Sequence, residues 1–223
     1  MNEFNQKIIK FEYEKNLTQN DFFVTKSNQH VFKLINDWPK WEKKFINIYG
    51  EKFSGKTHLI NIFLKKNNGI KIDSQSFNES YLRKVKINEN IVLENLEVDI
   101  NEKLFFTLLN IIEQENKYLI ITSLDPVTKI NFKLKDLNSR MKNFILQNIE
   151  KPDDELIFAI LLKNFSDRQI SIEKKLIEFT IKRIDRSYGK IFDFIYKIDE
   201  MSLKKKKSID MKIIKEVLGG MSE

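Results

Sequence analysis

Apolar positions in the first two thirds of the chain form two alternating kinds of segment. Four short apolar runs have the length of buried β-strands: residues 45–49, 69–72, 90–93 and 118–121. Around and between these runs, apolar residues recur every three or four positions, as on one face of a helix, for example at 59–64 and 104–112. Strands that alternate with helices form parallel βαβ units. The sequence therefore predicts an α/β fold with a parallel sheet covered by helices on both sides.

The pattern changes at Pro152, after which the apolar periodicity is that of helices only. Pro-Asp-Asp at residues 152–154 has the composition of a helix start. We therefore predict an α/β domain over residues 18–150 and a small helical bundle over residues 151–223. Residues 1–17 precede any clear element and are predicted to form a flexible arm.

Composition excludes several classes of protein. The chain has 223 residues, 41% of them hydrophobic, so it can bury a sizeable core. It has no cysteine, which excludes disulfides and thiolate metal sites, and its two histidines, His30 and His58, are too isolated for a histidine-based metal centre. No apolar run approaches the ~18 residues of a membrane helix, and the N-terminus lacks the apolar core of a signal peptide. We expect a cytoplasmic protein without membrane contact.

The net charge of +7 is weak evidence for nucleic-acid binding, because lysine and asparagine are enriched along the whole chain. The one dense basic cluster, at residues 204–207, falls between two helical patterns. We interpret it as a solvated connecting loop. Contact of this cluster with nucleic-acid phosphates is the alternative.

A phosphate-binding motif occupies residues 50–57, which read Gly-Glu-Lys-Phe-Ser-Gly-Lys-Thr and complete the pattern G-x-x-x-x-G-K-[ST]. A predicted strand precedes it and a helical face follows, which is the order that the motif requires. Glycines let backbone N–H groups curve around phosphates, Lys56 can reach the β- and γ-phosphates, and the Thr57 hydroxyl can join a Mg²⁺ shell. The predicted nucleotide contacts of this segment are Gly50, Ser54, Gly55, Lys56, Thr57 and His58.

This motif, its flanking elements and the helical part after it resemble the AAA+ ATPases. Local segments narrow the resemblance to the family of the bacterial initiator DnaA and its shorter paralogue Hda. Residues 22–28 are similar to the segment by which that family enters its sheet, and residues 152–156 and 165–169 to the start of its lid. The resemblance covers residues 18–218. It implies an AAA+ P-loop domain with a parallel sheet flanked by helices, a small C-terminal helical lid, and binding of ADP or ATP with Mg²⁺.

The resemblance also implies a function and partners. DnaA carries an additional C-terminal DNA-binding domain, and a chain that ends at Glu223 leaves no room for it, so we expect the Hda type. A protein of that type binds the DNA-loaded sliding clamp, the β subunit of DNA polymerase III, and promotes hydrolysis of the ATP carried by DnaA. The implied partners are therefore DnaA and the clamp, with DNA contacted only through the clamp. Homo-oligomerisation is left open.

The predicted arm carries a segment that resembles a clamp-binding peptide. Residues 6–11 read Gln-Lys-Ile-Ile-Lys-Phe, with glutamine first and apolar residues fourth and sixth. In an extended arm, the Gln6 amide can enter a polar notch while Ile9 and Phe11 fill an apolar cleft. The alternative is an arm that folds back on the sheet.

Arg140 occupies the position of a Ser-Arg pair that follows the fourth strand in the family, where the resemblance implies an arginine finger. A guanidinium inserted into a neighbour's ATP site stabilises charge on the transferred phosphoryl group, and such fingers are worth ~10³ to 10⁵ in rate. The alternative is a surface arginine in an ion pair.

Other positions of the family pattern are altered or ambiguous. The Walker B strand ends in Glu94-Asn95 instead of Asp followed by an acid; Glu94 can still contact Mg²⁺, but the Asn95 amide cannot accept a proton from an attacking water. Gly189 stands at the sensor-2 position, so no arginine is present there. The adjacent Lys190 could substitute as a point charge, but we favour the alternative that it is an exposed helical lysine. Thr122 and Ser123, at the end of the fourth predicted strand, resemble the sensor-1 position, with capping of the strand end as the alternative. We predict nucleotide binding with little intrinsic hydrolysis.

Two other functions stay open. One is a self-sufficient AAA+ ATPase such as a helicase loader, against which Asn95 and Gly189 argue. The other is a DnaA-like DNA-binding module, against which the expected absence of the C-terminal DNA-binding domain argues.

Overall fold

The computed structural model describes residues 21–205 and 209–221. The predicted arm, with Gln6, Ile9 and Phe11, lies outside the described residues. The strands of the described part are β1 (Phe45–Tyr49), β2 (Gly69–Asp73), β3 (Asn90–Leu96), β4 (Tyr118–Ser123) and β5 (Ile145–Asn148). Its α-helices are α1 (Gln29–Asn36), α2 (Lys56–Lys66), α3 (Ser80–Ile87), α4 (Glu102–Gln114), α5 (Lys135–Met141), α6 (Asp154–Asp167), α7 (Lys174–Ile181), α8 (Tyr188–Lys205) and α9 (Met211–Gly219).

The strands form one sheet in the order β2-β3-β4-β1-β5, and every pair of neighbours is parallel. The prediction of an α/β fold with a parallel sheet flanked by helices is confirmed. Strand β5 was not predicted from the sequence. It lies at the edge of the sheet and none of its four residues is fully buried, so it lacks the continuous apolar run of a central strand.

Helices cover both faces of the sheet because successive residues of a strand point to opposite sides. Ile91 and Leu93 of β3 pack with Leu108 of α4 in one core. Val92, between them, packs with Phe63 of α2 in the core on the other face. The P-loop helix α2 is thus fixed to the sheet along its length by buried apolar side chains, and its first residue is held at a defined place above the strand ends.

The four helices from α6 onward share an apolar core of their own. Two of them begin at a capping aspartate, as the sequence indicates for α6. The Asp153 carboxylate accepts a hydrogen bond from the Leu156 N–H at 2.8 Å, and the Asp210 carboxylate accepts one from the Ile213 N–H at 2.9 Å. This helical bundle follows the sheet domain in the chain, as predicted.

The basic cluster at residues 204–207 differs from the predicted connecting loop at its beginning. Helix α8 continues through Lys205, so the first part of the cluster is helical. The apolar face of α8 continues to Met201, and no proline or glycine interrupts the sequence there, which explains the longer helix. Residues 206–208 lie outside the described residues.

The carboxyl ends of β1, β3 and β4 meet at one edge of the parallel sheet, which is where ligands of open α/β sheets bind. The P-loop, Asn95 and Ser123 lie at this edge. Within the ranges that the structure describes, no helix is long and apolar enough to cross a membrane.

Candidate nucleotide site

The P-loop connects β1 to α2 and depends on two glycines. Gly50 and Gly55 have φ angles of 153° and 93°, a backbone conformation that L side chains rarely adopt. A Cβ on Gly50 would lie 3.0 Å from the Ile149 carbonyl oxygen, and one on Gly55 would lie 3.2 Å from the Phe22 ring. The loop can therefore keep this tight path only with glycine at both positions. Helix α2 begins directly after Gly55, so its first backbone N–H groups belong to the same site.

Lys56 is buried under the loop, with 8% of its surface exposed. Its Nζ donates hydrogen bonds to the carbonyl oxygens of Gly50 and Glu51, both at 2.7 Å. Burial lowers the pKa of Lys56 to about 8, against the opposing effect of the Glu51 and Glu94 carboxylates. The Lys56 ammonium is therefore held by carbonyl groups of the loop itself, and its contact with phosphates stays a prediction.

Glu94, at the end of β3, is almost fully buried. Its Oε2 lies 3.3 Å from the Lys71 Nζ, in an ion pair. Its Oε1 is buried and has no hydrogen-bond partner. A buried carboxylate oxygen without a donor is costly. Glu94 is not among the residues that line the cavities at the P-loop, and its contact with Mg²⁺ stays a prediction.

Asn95 links three strands at the carboxyl edge of the sheet. Its φ of 56° accompanies an irregularity in the β3–β4 pairing between Leu93 and Leu96. Its N–H donates to the Thr122 Oγ1 at 3.0 Å, and its side-chain Nδ2 donates to the Asp73 Oδ2 at 2.9 Å. The amide predicted to be unable to act as a base is thus also engaged as a donor to a carboxylate.

Thr122, predicted to resemble sensor 1, is fully buried and holds the Asn95 backbone, as the strand-capping alternative describes. Ser123, which was predicted at the same sensor-1 position, lines the cleft. The Ser123 hydroxyl accepts from the Asn47 Nδ2 at 2.9 Å and donates to the Asp125 carbonyl oxygen at 2.6 Å. A nucleotide contact by Thr122 stays a prediction.

Two cavities adjoin at the P-loop. The first, of about 530 Å³, lies between the P-loop and the carboxyl ends of β2, β3 and β4, and we name it the phosphate cavity. Its lining includes Ser54, Lys56, Thr57, Asp73, Asn95 and Ser123. It brings together all the P-loop residues predicted to bind nucleotide except Gly50, whose carbonyl instead accepts the hydrogen bond from Lys56.

The second cavity, of about 330 Å³, lies between the sheet domain and the helical bundle, and we name it the lid cavity. Aromatic and aliphatic side chains dominate its lining, which includes Phe22, Phe23, Leu156, Ile160, Tyr188 and Phe192. Five residues line both cavities: Phe53, Ser54, Gly55, His58 and Phe192. The His58 ring also packs edge-on against the Phe22 ring, with centroids 5.2 Å apart.

Sequence reasoning missed most of the lid cavity. Phe22 and Phe23 were noted only as part of the segment that leads into the sheet, and Phe192 was not noted at all. A usable signal was present, because Tyr188 and Phe192 are four residues apart and therefore share one helix face. Lys190, midway between them, is on the other side of α8; it is exposed and is not among the lining residues of either cavity.

Arg140 lies on α5 and contacts α4 of the same chain. Its Nη2 donates to the Asn110 Oδ1 at 2.7 Å, and its Nη1 is 3.0 Å from the Glu113 Oε2. The guanidinium carbon is 4.7 Å from the centroid of the Phe106 ring. This ion pair agrees with the alternative interpretation of Arg140, in which it is an ion-paired arginine and not an arginine finger. Arg140 lines neither cavity of its own chain, and its role as a finger stays a prediction.

Comparison with known proteins adds to this description. No protein-family model matches the chain. An uncharacterised protein of Haemophilus influenzae is 26% identical over 190 residues, which cover 79% of this chain and 82% of that protein. The chromosomal replication initiator DnaA of Caldanaerobacter subterraneus subsp. tengcongensis is 24% identical over 194 residues. That match covers 77% of this chain but only 44% of the initiator, so the chain spans less than half of its length.

Solved structures identify the fold. Domain III of DnaA from Thermotoga maritima superposes with a TM-score of 0.72 at 18% identity, over 92% of this chain and 97% of that domain. The chain has a DnaA-like AAA+ fold. AMPPCP-bound DnaA from Aquifex aeolicus superposes with a TM-score of 0.67 at 20% identity, over 84% of this chain and 66% of that one. In this DnaA-like fold, the phosphate cavity lies where a P-loop meets the sheet edge, and the helical bundle stands in the position of the AAA+ lid.

Proposed function

We propose that the chain binds ADP or ATP with Mg²⁺ across the phosphate and lid cavities and acts as an Hda-type regulator of replication initiation in the cytoplasm. The observation that carries nucleotide binding is the buried Lys56 under a glycine-dependent P-loop, next to an aromatic cavity of a size suited to a base. The solved DnaA structure from Aquifex aeolicus, which is bound to AMPPCP, supports this assignment by similarity.

The residues present fit a magnesium ion that arrives with a nucleotide. Among the described residues, no cluster of three acidic, histidine or cysteine side chains is arranged for a metal. In this proposal, oxygens of the nucleotide phosphates supply the further ligands. Thr57 lines the phosphate cavity. Glu94 does not line it, but its charge acts on Lys56, which does, and its Oε1 has no hydrogen-bond partner. These two oxygens would hold Mg²⁺, whose charge would neutralise that of the phosphates.

Two features favour nucleotide binding over turnover. The Asn95 side chain cannot take a proton from water, and its Nδ2 is already bonded to Asp73. Lys190 is exposed on the side of α8 away from the cavity-lining residues, so it does not replace the missing sensor-2 arginine in this arrangement. We infer slow or absent intrinsic hydrolysis.

The regulatory part of the proposal assigns Arg140 to act on ATP bound to a partner DnaA. Its position outside both cavities of its own chain is compatible with a role in trans. To reach a partner's nucleotide, the guanidinium would exchange its contacts with Asn110 and Glu113 for phosphate oxygens. The arm containing Gln6, Ile9 and Phe11 would place the protein on the sliding clamp.

Nucleotide binding is tested by thermal unfolding with and without ADP. At a hundredfold excess of ADP over Kd, mass action adds about 2.7 kcal/mol, which corresponds to a Tm increase of about 5 to 10 °C. Lys56→Ala should abolish the increase because it removes the charge opposite the phosphates. An unchanged increase in the variant would show that ADP binds elsewhere.

The regulatory step is tested in a reaction that contains DnaA-bound ATP, clamp and DNA. Wild-type protein should accelerate conversion of the bound ATP to ADP. With Arg140→Ala, the accelerated rate should fall by a factor of about 10³ or more, while the variant still binds ADP. Arg183→Ala is the matched control, since Arg183 also stacks on an aromatic ring, 3.7 Å from the Phe179 centroid, but lies in the helical bundle. Full stimulation by Arg140→Ala would make Arg140 a surface residue and remove the assigned mechanism.

A further inference from the structure

An aromatic residue of the P-loop has a backbone conformation that its side chain disfavours. Phe53 has a φ of 66°, in the left-handed region where bulky L residues are outliers. The residue is 61% exposed, so burial in a core does not offset the strain. Glycine at this position would adopt the same conformation without strain. A strained conformation next to a ligand cavity points to a role for the side chain.

The Phe53 ring contacts the ring of Phe192 in the helical bundle. The centroids of the Phe53 and Phe192 rings are 5.2 Å apart, with the rings tilted by 43°. One helical turn before Phe192, the Tyr188 N–H at the start of α8 donates to the Glu51 Oε2 at 3.0 Å. Two residues of the P-loop therefore contact the same face of the first two turns of α8.

The aromatic pair stands at the junction of the two cavities. Both rings line the phosphate cavity and the lid cavity. If a nucleotide binds with its base in one cavity and its phosphates in the other, the ribose that joins them lies at this junction. The pair is therefore placed to touch the sugar.

Helix α8 connects this junction to the interior of the helical bundle. Its residues Ile191, Phe194 and Ile195 are buried in the core shared by α6 to α9. Phe192, next to Ile191 in sequence, belongs to the partly buried side chains packed against that core. A displacement of Phe192 would therefore move α8 together with the core residues on its other face.

We propose that Phe53 and Phe192 act as one aromatic unit that contacts the ribose of a bound nucleotide and couples the P-loop to helix α8. The inference rests on the proposed nucleotide binding and adds positioning residues that the P-loop motif does not contain. The side chain of Phe53 contributes to ADP affinity only while Phe192 is present, and the reverse holds as well.

Calorimetric titration with ADP of four proteins tests the unit: wild type, Phe53→Gly, Phe192→Ala and the double variant. Glycine keeps the left-handed backbone available, so the P-loop path is preserved. Each single substitution should weaken ADP binding about 5- to 10-fold, and the double variant should lose no more than the weaker-binding single variant. The proposal would be overturned if the two losses of ADP affinity multiply in the double variant. It would also be overturned if one or both of the single variants bind ADP as tightly as wild type.

Amide hydrogen exchange tests the coupling to the lid. ADP should slow exchange in residues 188–196 of wild type and in the P-loop helix α2. In Phe192→Ala at saturating ADP, the slowing should persist in α2 and be lost in α8. Equal slowing of α8 in wild type and variant would contradict the coupling.

Tyr196→Ala is the control for both measurements. Tyr196 is a half-exposed aromatic one turn further along α8 and lines neither cavity. We expect this variant to match wild type, and the same losses as in Phe192→Ala would assign the effect to the helix and overturn the proposal. Wild type that does not bind ADP would remove the proposed function and this inference together, whereas binding with independent losses removes only the inference.

Discussion

Lys56 combines two properties that oppose each other. In the proposed function, the positive charge of Lys56 binds the phosphates. Burial of the side chain disfavours this charge and lowers the pKa of Lys56 to about 8. The carbonyl oxygens of Gly50 and Glu51 hold the ammonium in the structure. Lys56 is therefore protonated at neutral pH, but it is within reach of titration slightly above it.

We expect ADP affinity to depend on pH through Lys56. Binding favours the protonated lysine, so the Kd should be nearly constant from pH 7 to about 8 and should rise by up to tenfold per pH unit above that. Calorimetric titration between pH 7 and 9.5 measures this profile. Lys56→Arg is the control because a guanidinium stays protonated, and any residual binding should be flat over this range. A flat wild-type profile would mean that the Lys56 charge does not hold the phosphates.

At the scale of elements, the contacts at the end of β3 oppose a change of Asn95 to the acid that is expected at this position in an active ATPase. From the sequence alone, we expect that the Asn95 side chain cannot act as a general base, because an amide does not accept a proton from water. The sequence does not reveal that its Nδ2 donates to Asp73, which lies 22 positions earlier on β2. A carboxylate at position 95 would replace this donor with a second negative charge beside Asp73.

Asn95→Asp should therefore lower the free energy of unfolding by about 1–2 kcal/mol at pH 7, through the lost hydrogen bond and the new repulsion. Combining it with Asp73→Asn should recover most of the loss, because donor and acceptor are then exchanged between the two positions. Urea unfolding of the single variants and the double variant measures the coupling. Additive losses in the double variant would show that the Asn95–Asp73 contact contributes little.

The elements of the sheet domain were predictable to different degrees. Strands β1 to β4 begin where the apolar runs of the sequence begin, because buried parallel strands need apolar side chains on both faces. β3 and β4 extend beyond the predicted ends, where polar residues such as Asn95 and Ser123 continue the strand into the site. β5 escaped prediction because an edge strand is only partly covered.

The site as a whole was predictable only where its residues are close in sequence. The P-loop is one continuous segment, and its motif indicated residues 54–58, which line one side of the phosphate cavity. The lid cavity draws on the chain near Phe22, on Leu156 and on Tyr188, which are more than a hundred positions apart at the extremes. No local pattern encodes which of these side chains meet, since that depends on how the helical bundle packs against the sheet domain.

At the scale of the whole molecule, the DnaA-like fold does not decide the function by itself, because one fold supports many activities. The features that distinguish the proposed regulator are the partly exposed Arg140 and the predicted arm with Gln6, Ile9 and Phe11. A clamp contact through the arm would be a local, linear epitope, because a short extended peptide can bind without the rest of the domain. Binding to the clamp and stability of the fold should therefore be separable.

We expect Gln6→Ala combined with Phe11→Ala to reduce clamp binding at least a hundredfold, since both anchors of the peptide, the polar one and one of the two apolar ones, are removed. Ile9→Ala alone should weaken binding less, because Phe11 would keep its pocket. The melting temperature should be unchanged in these variants. Surface plasmon resonance on immobilised clamp measures the affinity, and Lys7→Ala with Lys10→Ala is the matched control, because it alters the same segment without its anchors. The clamp-binding assignment would be contradicted if the Gln6→Ala, Phe11→Ala variant still binds the clamp, or if the control loses as much affinity. The alternative, an arm that folds back on the sheet, would then be favoured.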